Sequence, residues 1–422
     1  ITHTYTSELH PTGGTTAMNP TAYSGLSAYS GMMKNDLSPL MPVKHPDGHY
    51  AGQGSYTNPI AIMEQGGNAK YRQNDLWMTG AVRITPIKGL VINADYTWNF
   101  YGRNSNEHVR NFYDYTAVPG TENYYPWTNP SSITVSNYDD YYQAFNVFAE
   151  YSLSLAEKHN FKVLVGYNQE KKHNKYHWVG RKNLIDNDTP QINLAYGDTS
   201  TSGSESMWAT NGLFFRFNYD FMGKYLFEFN GREDGSSKFG KGNRWGLFPS
   251  LALAWRMSDE KFMKGADKWL SNLKLRLSLG TAGNNRIPSG MLSPTYGVAD
   301  AAGKHPGFNE VNTGMLETYK ANGKTVLYNP NLKWETTTTR NFGIDYGFLR
   351  GRIYGTLDFY WNTTKDLLML QTLPSATGYE RQYQNVGTTS NKGIEWALNA
   401  AIVDSKKFNL NFNFNISYNK NK

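Results

Sequence analysis

The chain has 422 residues and carries 42 basic against 35 acidic side chains, a formal net charge of +7. It contains no cysteine, which excludes a disulfide framework, a zinc–thiolate site and a thiol nucleophile. No stretch approaches about 18 consecutive apolar residues, so no transmembrane helix is predicted. The basic residues are scattered and form no recognisable module, so nucleic-acid binding is not expected.

The composition favours an all-β protein. Aromatic residues make up 15% of the chain, with 30 Tyr and 11 Trp, and there are 40 Gly. The mean hydropathy is −0.61, a value that a membrane barrel reaches because its loops and half of each strand are polar. The tyrosine excess suits aromatic girdles at the two membrane interfaces.

The first part of the chain has weak periodicity. Residues 1–78 are rich in Gly, Pro, Ser, Tyr and Met, and turn signals occur at 45–49 and 58–59. We predict that 1–78 is a long surface, extracellular segment of the barrel domain. Residues 79–422 are then the strands and loops of the barrel, with a first strand near 79–85.

Apolar–polar alternation organises the strand pairs between Leu213 and Leu279 and is cleanest in the last predicted strand, 408–419. Side chains on a strand point to opposite faces with period two. One face is apolar and aromatic, whereas the other carries Arg, Glu and Lys, strand after strand. A transmembrane antiparallel β-barrel produces this pattern, because its outside meets lipid and its inside meets water.

The alternation predicts about 12 strands, and their connections alternate between short turns and long loops, with the long loops predicted at 102–141, 171–206, 284–335 and 363–392. This order is typical of an outer-membrane barrel, with short periplasmic turns and long extracellular loops. The predicted strands cover 79–85, 90–101, 142–154, 161–170, 213–220, 225–232, 247–256, 273–279, 336–348, 352–362, 393–402 and 408–419.

Several motifs carry a resemblance that extends from about residue 58 to the C-terminus. They include REDGSSKFG at 232–240, NRWGLFPS at 243–250, LKLRLSLG at 273–280, NPNLKWE at 329–335, NVG at 385–387 and NKGIE at 391–395. In this order they resemble the SusC/RagA family, which are TonB-dependent outer-membrane transporters of the Bacteroidota.

The resemblance implies a barrel of about 22 strands with a plugged lumen. It also implies TonB-energised import of glycan or peptide fragments, without covalent catalysis or a cofactor. The implied partners are a SusD-like surface lipoprotein, a TonB complex acting on a plug, and outer-membrane lipid; a dimer of transporter–lipoprotein pairs is left open. We recognise no plug or TonB-binding stretch, so we expect this chain to be the barrel portion alone. A closed barrel of about 12 strands is the alternative.

Two sets of candidate site residues follow. The aromatic residues predicted in the long loops suit contact with a ligand, although packing within a girdle or lid explains them equally well. Polar-face residues would face the lumen and the plug, and their mixed signs do not suit an ion filter. No metal site is predicted. The aromatic set is Tyr124, Tyr125, Trp127, Tyr176 and Trp178, and the lumen-facing set is Arg216, Glu228, Arg232, Arg256, Lys274 and Arg276.

Two other functions remain open at this point. A passive porin or a siderophore-type receptor would share the fold but lack the lipoprotein lid. A soluble β-rich carbohydrate-binding or adhesive surface protein would instead pack its apolar strand faces into a core. Such a protein would stay in aqueous solution without detergent, which distinguishes it from a barrel.

Overall fold

The structure is a computed structural model that describes residues 1–11, 42–52, 58–115, 122–124, 130–291, 296–298, 316–318, 320–321, 324–377, 379–405 and 408–422. Its strands are β1 (Thr2–Pro11), β2 (Gly67–Ile87), β3 (Leu90–Val109), β4 (Tyr113–Tyr115), β5 (Glu122–Tyr124), β6 (Ser132–Leu155), β7 (His159–Lys182), β8 (Thr199–Phe221), β9 (Tyr225–Ser236), β10 (Trp245–Arg256), β11 (Leu270–Asn284), β12 (Tyr296–Val298), β13 (Leu316–Thr318), β14 (Lys320–Ala321), β15 (Lys324–Leu327), β16 (Glu335–Phe348), β17 (Ile353–Lys365), β18 (Leu368–Thr372), β19 (Arg381–Asn385), β20 (Thr388–Asp404) and β21 (Asn409–Asn421).

Helical structure is scarce in the described part of the chain. It consists of one short α-helix and four 3₁₀ segments, and none of these is long and apolar enough to cross a membrane. The helix is α1 (Pro59–Gln65), and the 3₁₀ segments are Ile192–Leu194, Met257–Asp259, Lys261–Ala266 and Ser375–Thr377.

One thirteen-stranded sheet dominates the fold, in the order β1-β2-β3-β6-β7-β8-β9-β10-β11-β16-β17-β20-β21. Each strand therefore lies beside the next long strand in the chain, as hairpin connections require. The register keeps the two faces separate. Phe217 lies opposite Phe229, and Phe229 lies opposite Leu251, while Asn218 lies opposite Glu228 on the other face. The predicted alternation is thereby confirmed, because a slip of one residue would have mixed the faces.

Several strands are longer than the sequence predicted. β6 and β7 have 24 residues each and β8 has 23, whereas a membrane crossing needs about 9–11. The loops predicted at 102–141 and 171–206 were therefore partly wrong, because β3, β6, β7 and β8 extend into them. These extensions are polar on both faces, as strand segments in water can be, so period-two alternation does not mark them.

The alternation also did not predict the strands that the structure contains before residue 79. β1 pairs with the first part of β2, from Thr2 opposite Trp77 to Pro11 opposite Asn68. The sheet consequently has one strand more than the alternation predicted. Charged residues lie on both faces of this pair, with Asp75 on one face and Arg72 on the other, so it lacks an apolar stripe. The division of the chain into 1–78 and 79–422 stays a prediction.

The chain forms two compact units. The first contains Ile1–Thr79, Thr97–Gln143 and Lys172–Met207, and the second contains Gly80–Tyr96, Ala144–Lys171 and Trp208–Lys422. The first unit has two small buried clusters, one around Phe112 and one around Ile133. In the second unit a larger buried cluster, here called the loop cluster, consists of Phe239, Ile287, Met291, Val326 and Leu332.

The loop cluster joins long loops of the second unit through side-chain amides as well as apolar contacts. Trp334 packs against the cluster and donates from Nε1 to the carbonyl oxygen of Arg244 at 2.9 Å. Asn385 accepts from the backbone N–H of Lys333 at 2.9 Å and donates to the carbonyl oxygens of Lys333 and Asp366 at 2.8 and 2.9 Å. Residues of the motifs at 232–240, 329–335 and 385–387 thus hold these loops together.

The short turns of the second unit use left-handed backbone conformations. Ala156 and Glu157 have φ of 50° and 56°, and Leu349 and Arg350 have φ of 53° and 58°. Consecutive positive φ values match the right-handed twist of the flanking strands, which is why such turns close tight hairpins.

One longer turn, between β10 and β11, is organised around the carboxylate of Glu260. This carboxylate accepts from the hydroxyl of Tyr225 at 2.7 Å and from Nε1 of Trp255 at 3.3 Å, and it forms an ion pair with Lys224 at 3.4 Å. These hydrogen bonds, led by that of Tyr225, lower the pKa of Glu260. The turn is thereby fixed to the ends of two strands.

Candidate functional site: the polar face of the sheet

The polar face of the second unit carries the six charged residues predicted from the alternation. We call this surface of β8–β11, β16 and β17 the polar face, and the opposite surface the apolar face. Four of the six residues border one open hollow of about 1270 Å³, together with Glu150 and Lys162. These four are Arg216, Glu228, Lys274 and Arg276.

Arg276 is the centre of the most extensive charge cluster on the polar face. Its Nη2 lies 2.8 Å from Oδ1 of Asp345 on β16 and 3.1 Å from Oδ1 of Asp358 on β17. Lys274 lies farther from the same Asp345, with Nζ 3.8 Å from Oδ2. One guanidinium therefore links three neighbouring strands, which its planar array of donors makes feasible.

A glycine makes room for this guanidinium. A Cβ at Gly343 would lie 2.6 Å from Cζ of Arg276 and 2.6 Å from Oδ1 of Asp358. Gly343 lies between the two strands that Arg276 and Asp358 belong to, opposite both residues in the register. A larger residue there would separate the ion pair.

Glu228 is the centre of a second cluster, in which amides rather than cations contact the carboxylate. Asn218 and Asn230 donate to its two oxygens at 2.6 and 2.7 Å. Nε of Arg216 in turn donates to Oδ1 of Asn230 at 2.7 Å. The negative charge is thus stabilised by a network that extends over β8 and β9.

Arg232 and Arg256 lie outside the hollow. Nε of Arg232 donates to both oxygens of Asp234, at 2.6 and 2.8 Å, and the guanidinium lies 5.5 Å from the ring centroid of Phe214. Arg256, at the end of β10, lies 3.7 Å from Asp259 in the following turn. The six residues are therefore spread along the strands, and only four of them surround one hollow.

The polar face carries both positive and negative side chains, and most of them contact a partner on the same face. Cations and carboxylates partner each other or amides, so the surface offers many hydrogen-bonding groups without a field of one sign. Such a surface suits contact with a polar partner in water rather than selection of one ion. No group of His, Asp and Glu that could hold a metal ion occurs among the residues that the structure describes.

The acidic residues that pair with the arginines of the polar face were not among the predicted site residues. Asp345 and Asp358 occupy polar positions of the predicted strands 336–348 and 352–362, and Asp234 follows Arg232 by two residues on one face. The register puts all three aspartates on the polar face. The pairing of Asp345 and Asp358 with Arg276 depended on the register between strands, which no local pattern contains.

The aromatic candidates are not brought together in the described part of the chain. Tyr125 and Trp127 lie outside the described residues, and Tyr124 is described only as the end of β5, opposite Tyr113. Tyr176 and Trp178 belong to β7 and not to a loop, and they share one face of that strand. A role in ligand binding stays a prediction for all five.

Comparison with known proteins identifies the family. The family model described as TonB dependent receptor-like, beta-barrel matches residues 39–422. The TonB-dependent receptor SusC of Bacteroides thetaiotaomicron is 31% identical over 97% of this chain and 39% of its own length. A TonB-dependent receptor of Formosa agariphila is 32% identical over 72% of this chain and 28% of its own length. The chain therefore spans less than half the length of these curated relatives.

Solved structures agree with the sequence comparisons. A structure of the RagAB peptide transporter superposes with a TM-score of 0.72 at 26% identity, over 87% of this chain and 38% of that one. A structure of the RagAB peptide importer in a closed-closed state gives a TM-score of 0.70 at 25% identity, over 89% of this chain and 40% of that one. This chain belongs to the β-barrel family of TonB-dependent receptors, which reside in the bacterial outer membrane.

Proposed function

We propose that this chain forms barrel wall in an active importer of glycan or peptide fragments, energised through TonB and working with a SusD-like surface lipoprotein. The observation that carries the proposal is the paired, mixed-sign polar face behind an apolar face, in a chain of this family. The apolar face meets lipid, and the polar face lines the lumen.

The arrangement of charges on the polar face supports a lumen that contacts another protein segment. The carboxylates and guanidinium groups around Arg276 and Glu228 are held by neighbours, so they keep their positions without a bound solute. A preorganised polar wall can hydrogen-bond to a plug reversibly, because little side-chain ordering accompanies each contact.

The proposed cargo class is supported by the relatives and by the hydrogen-bonding groups of the polar face, not by a specific binding site. The relatives include SusC and the RagAB peptide transporter, and a glycan or a peptide would each use the hydrogen-bonding groups of a polar lumen. The aromatic set from Tyr124 to Trp178 adds surfaces suited to stacking against sugar rings or apolar peptide side chains. Glycan and peptide fragments therefore both stay within the proposal.

The test uses the intact receptor in its native bacterium. The chromosomal gene is tagged, outer membranes are extracted in a mild detergent, and the tagged polypeptide is isolated and analysed by mass spectrometry. A stoichiometric surface lipoprotein and co-purified glycan or peptide are expected. A receptor that elutes without a lipoprotein and without such cargo would contradict the proposal.

An uptake experiment tests the energy source. Cells are given the co-purified class of cargo as sole nutrient, with TonB present or depleted and with the receptor gene intact or deleted. Growth that requires both genes is expected. Growth that requires the receptor and persists without TonB would indicate a passive pore, whereas a requirement confined to a ferric siderophore would indicate a siderophore-type receptor.

A further inference from the structure

A recessed groove crosses the apolar face of the second unit close to the turn between β10 and β11. Its volume is about 430 Å³, and its lining is almost entirely apolar. One row of the register forms its floor, because Phe227 lies opposite Leu253, Leu253 opposite Leu277, and Leu277 opposite Phe342. The two leucines are shorter than the phenylalanines beside them, which leaves a channel between rings.

Aromatic side chains continue from this groove to the turn. Trp255 lines the groove, and the ring of Phe262 lies 6.3 Å from it in an edge-on arrangement. Phe262 belongs to the 3₁₀ segment Lys261–Ala266 and is 67% exposed. An exposed phenylalanine beside an exposed apolar sheet face is typical of a segment that lies at a membrane interface.

The turn also presents positive charge. Lys261 and Lys264 are exposed and three residues apart in a 3₁₀ segment, so they share one side of it, and exposed Lys268 follows. The acidic residues Asp259 and Glu260 already have Arg256 and Lys224 as partners. Asp267 is the remaining acid in 257–269. Among the ion pairs of the described residues, none involves the three lysines.

Other short turns of the second unit also carry exposed positive side chains. Lys88, Lys158 and Arg350 are exposed in the turns that follow β2, β6 and β16. The central positions of these three turns contain one acidic residue, Glu157. Cations at one level of the sheet next to exposed aromatic rings can extend toward lipid phosphates while their stems cover apolar surface.

We propose that the groove and the three lysines of the β10–β11 turn form a binding site for one anionic phospholipid of the periplasmic leaflet. An acyl chain lies in the groove between Phe227 and Phe342, and the phosphate contacts Lys261, Lys264 and Lys268. Charge complementarity selects an anionic headgroup over a zwitterionic one. Short turns are periplasmic in this fold, so the phosphate comes from a phospholipid and not from lipopolysaccharide at the other surface. The site depends on neither the cargo nor the energy source.

The first test measures headgroup preference. The intact receptor complex is purified in mild detergent and titrated with phosphatidylglycerol or phosphatidylcholine of identical chains, and bound lipid is measured by native mass spectrometry. Tighter binding of phosphatidylglycerol is expected. The combined substitution of Lys261, Lys264 and Lys268 by Gln should weaken it on the order of 100-fold, from about 1 kcal/mol per lysine. Equal affinity for the two lipids, or an unchanged affinity in this variant, would overturn the proposal.

The second test separates the groove from the charge. Leu277→Trp places a large ring in the channel, on the lipid side where no protein core is disturbed, and should weaken binding of phosphatidylglycerol about tenfold through lost acyl contact. Unchanged binding would overturn the groove as the site. The matched control is Lys241→Gln with Arg286→Gln, two exposed cations at the long-loop end, which should leave binding unchanged. Heat-modifiable migration in gels verifies that each variant is folded.

Discussion

The short-turn end and the long-loop end of the second unit are built on the same strands but are held by different interactions. At the short-turn end, left-handed backbone conformations close the hairpins and one carboxylate, Glu260, fixes the longest turn. At the long-loop end, the loop cluster provides a small apolar core, and amides such as that of Asn385 link loops distant in sequence. The tightest turns are closed by local backbone conformation, whereas the long loops need contacts between segments distant in sequence.

This difference explains where the family motifs occur. Asn329 donates to the carbonyl oxygen of Tyr383 at 2.8 Å, and Trp334 donates to that of Arg244 at 2.9 Å. Such contacts are required whatever passes through the lumen. The motifs therefore identified the family and the fold, while they contained no information on cargo.

The largest expected effect is on the loop cluster. Phe239 is 0% exposed, so Phe239→Ala removes a fully buried ring and should destabilise the long-loop end by about 3–5 kcal/mol. Limited proteolysis of the detergent-purified receptor should then cut the loops faster while the strands stay protected. Lys241→Ala, at an exposed position of the same loop, is the control. Equal cleavage rates in both variants would contradict a stabilising role of the cluster.

A smaller effect is expected between the two ends, at the charge cluster of the polar face. Arg276→Met leaves Asp345 and Asp358 without their shared cation and should lower stability by about 2 kcal/mol, a value that allows for partial exposure. Thermal unfolding in detergent measures it. Adding Asp345→Asn should restore part of the loss, because it removes one uncompensated charge. Additive losses in the double variant would show that the two residues do not interact.

The amide of Asn385 tests the long-loop end through hydrogen bonds rather than apolar packing. Asn385→Ala removes its three hydrogen bonds to the backbone and should destabilise the loops by about 1–2 kcal/mol. Asn385→Asp is the matched variant, since it keeps the acceptor for the N–H of Lys333 and loses both donations. Protease sensitivity between those of wild type and Asn385→Ala is expected for it. Wild-type resistance in both variants would exclude the proposed link.

The smallest effect concerns the short-turn end and depends on pH. The hydroxyl of Tyr225 holds the pKa of Glu260 below its usual value, so the ionised carboxylate stabilises the turn above about pH 4.3. That contribution is lost as the pH falls through the lowered pKa. Melting temperatures measured from pH 7 down to pH 3 should fall less steeply in Glu260→Gln than in wild type. Asp267→Asn, at an exposed position in the same stretch, should retain the wild-type slope.

Alternation predicted the strands of the second unit well because lipid on one side and water on the other impose opposite demands on successive residues. Leu213–Phe221 shows this, since Leu213, Phe215, Phe217 and Tyr219 all lie on the apolar face of β8. The same physics explains the failures. β1 and the distal parts of β6 and β7 have polar residues on both faces, and a strand without an apolar side leaves no period-two pattern to detect.

The candidate site was predictable in part for a related reason. Strand parity placed Arg216, Glu228 and Arg276 on the polar face, but their partners depend on which strands are neighbours and on how those strands are aligned. Arg276 and Asp358 are 82 residues apart in the chain. The loop prediction for Tyr176 and Trp178 was wrong. The high charge of Lys171–Lys182 favours a solvent-exposed loop, whereas this segment continues β7.

The link from Arg276 to Asp345 and Asp358 has a mechanical consequence. Backbone hydrogen bonds between strands are identical at every second residue, so by themselves they resist sliding without defining where it must stop. A side chain anchored to two successive neighbours opposes shear at one alignment only, since displacement by a residue pair would separate the guanidinium from both carboxylates. In the importer proposed above, traction on material inside the barrel would load this part of the wall, and the link would resist slipping of its strands.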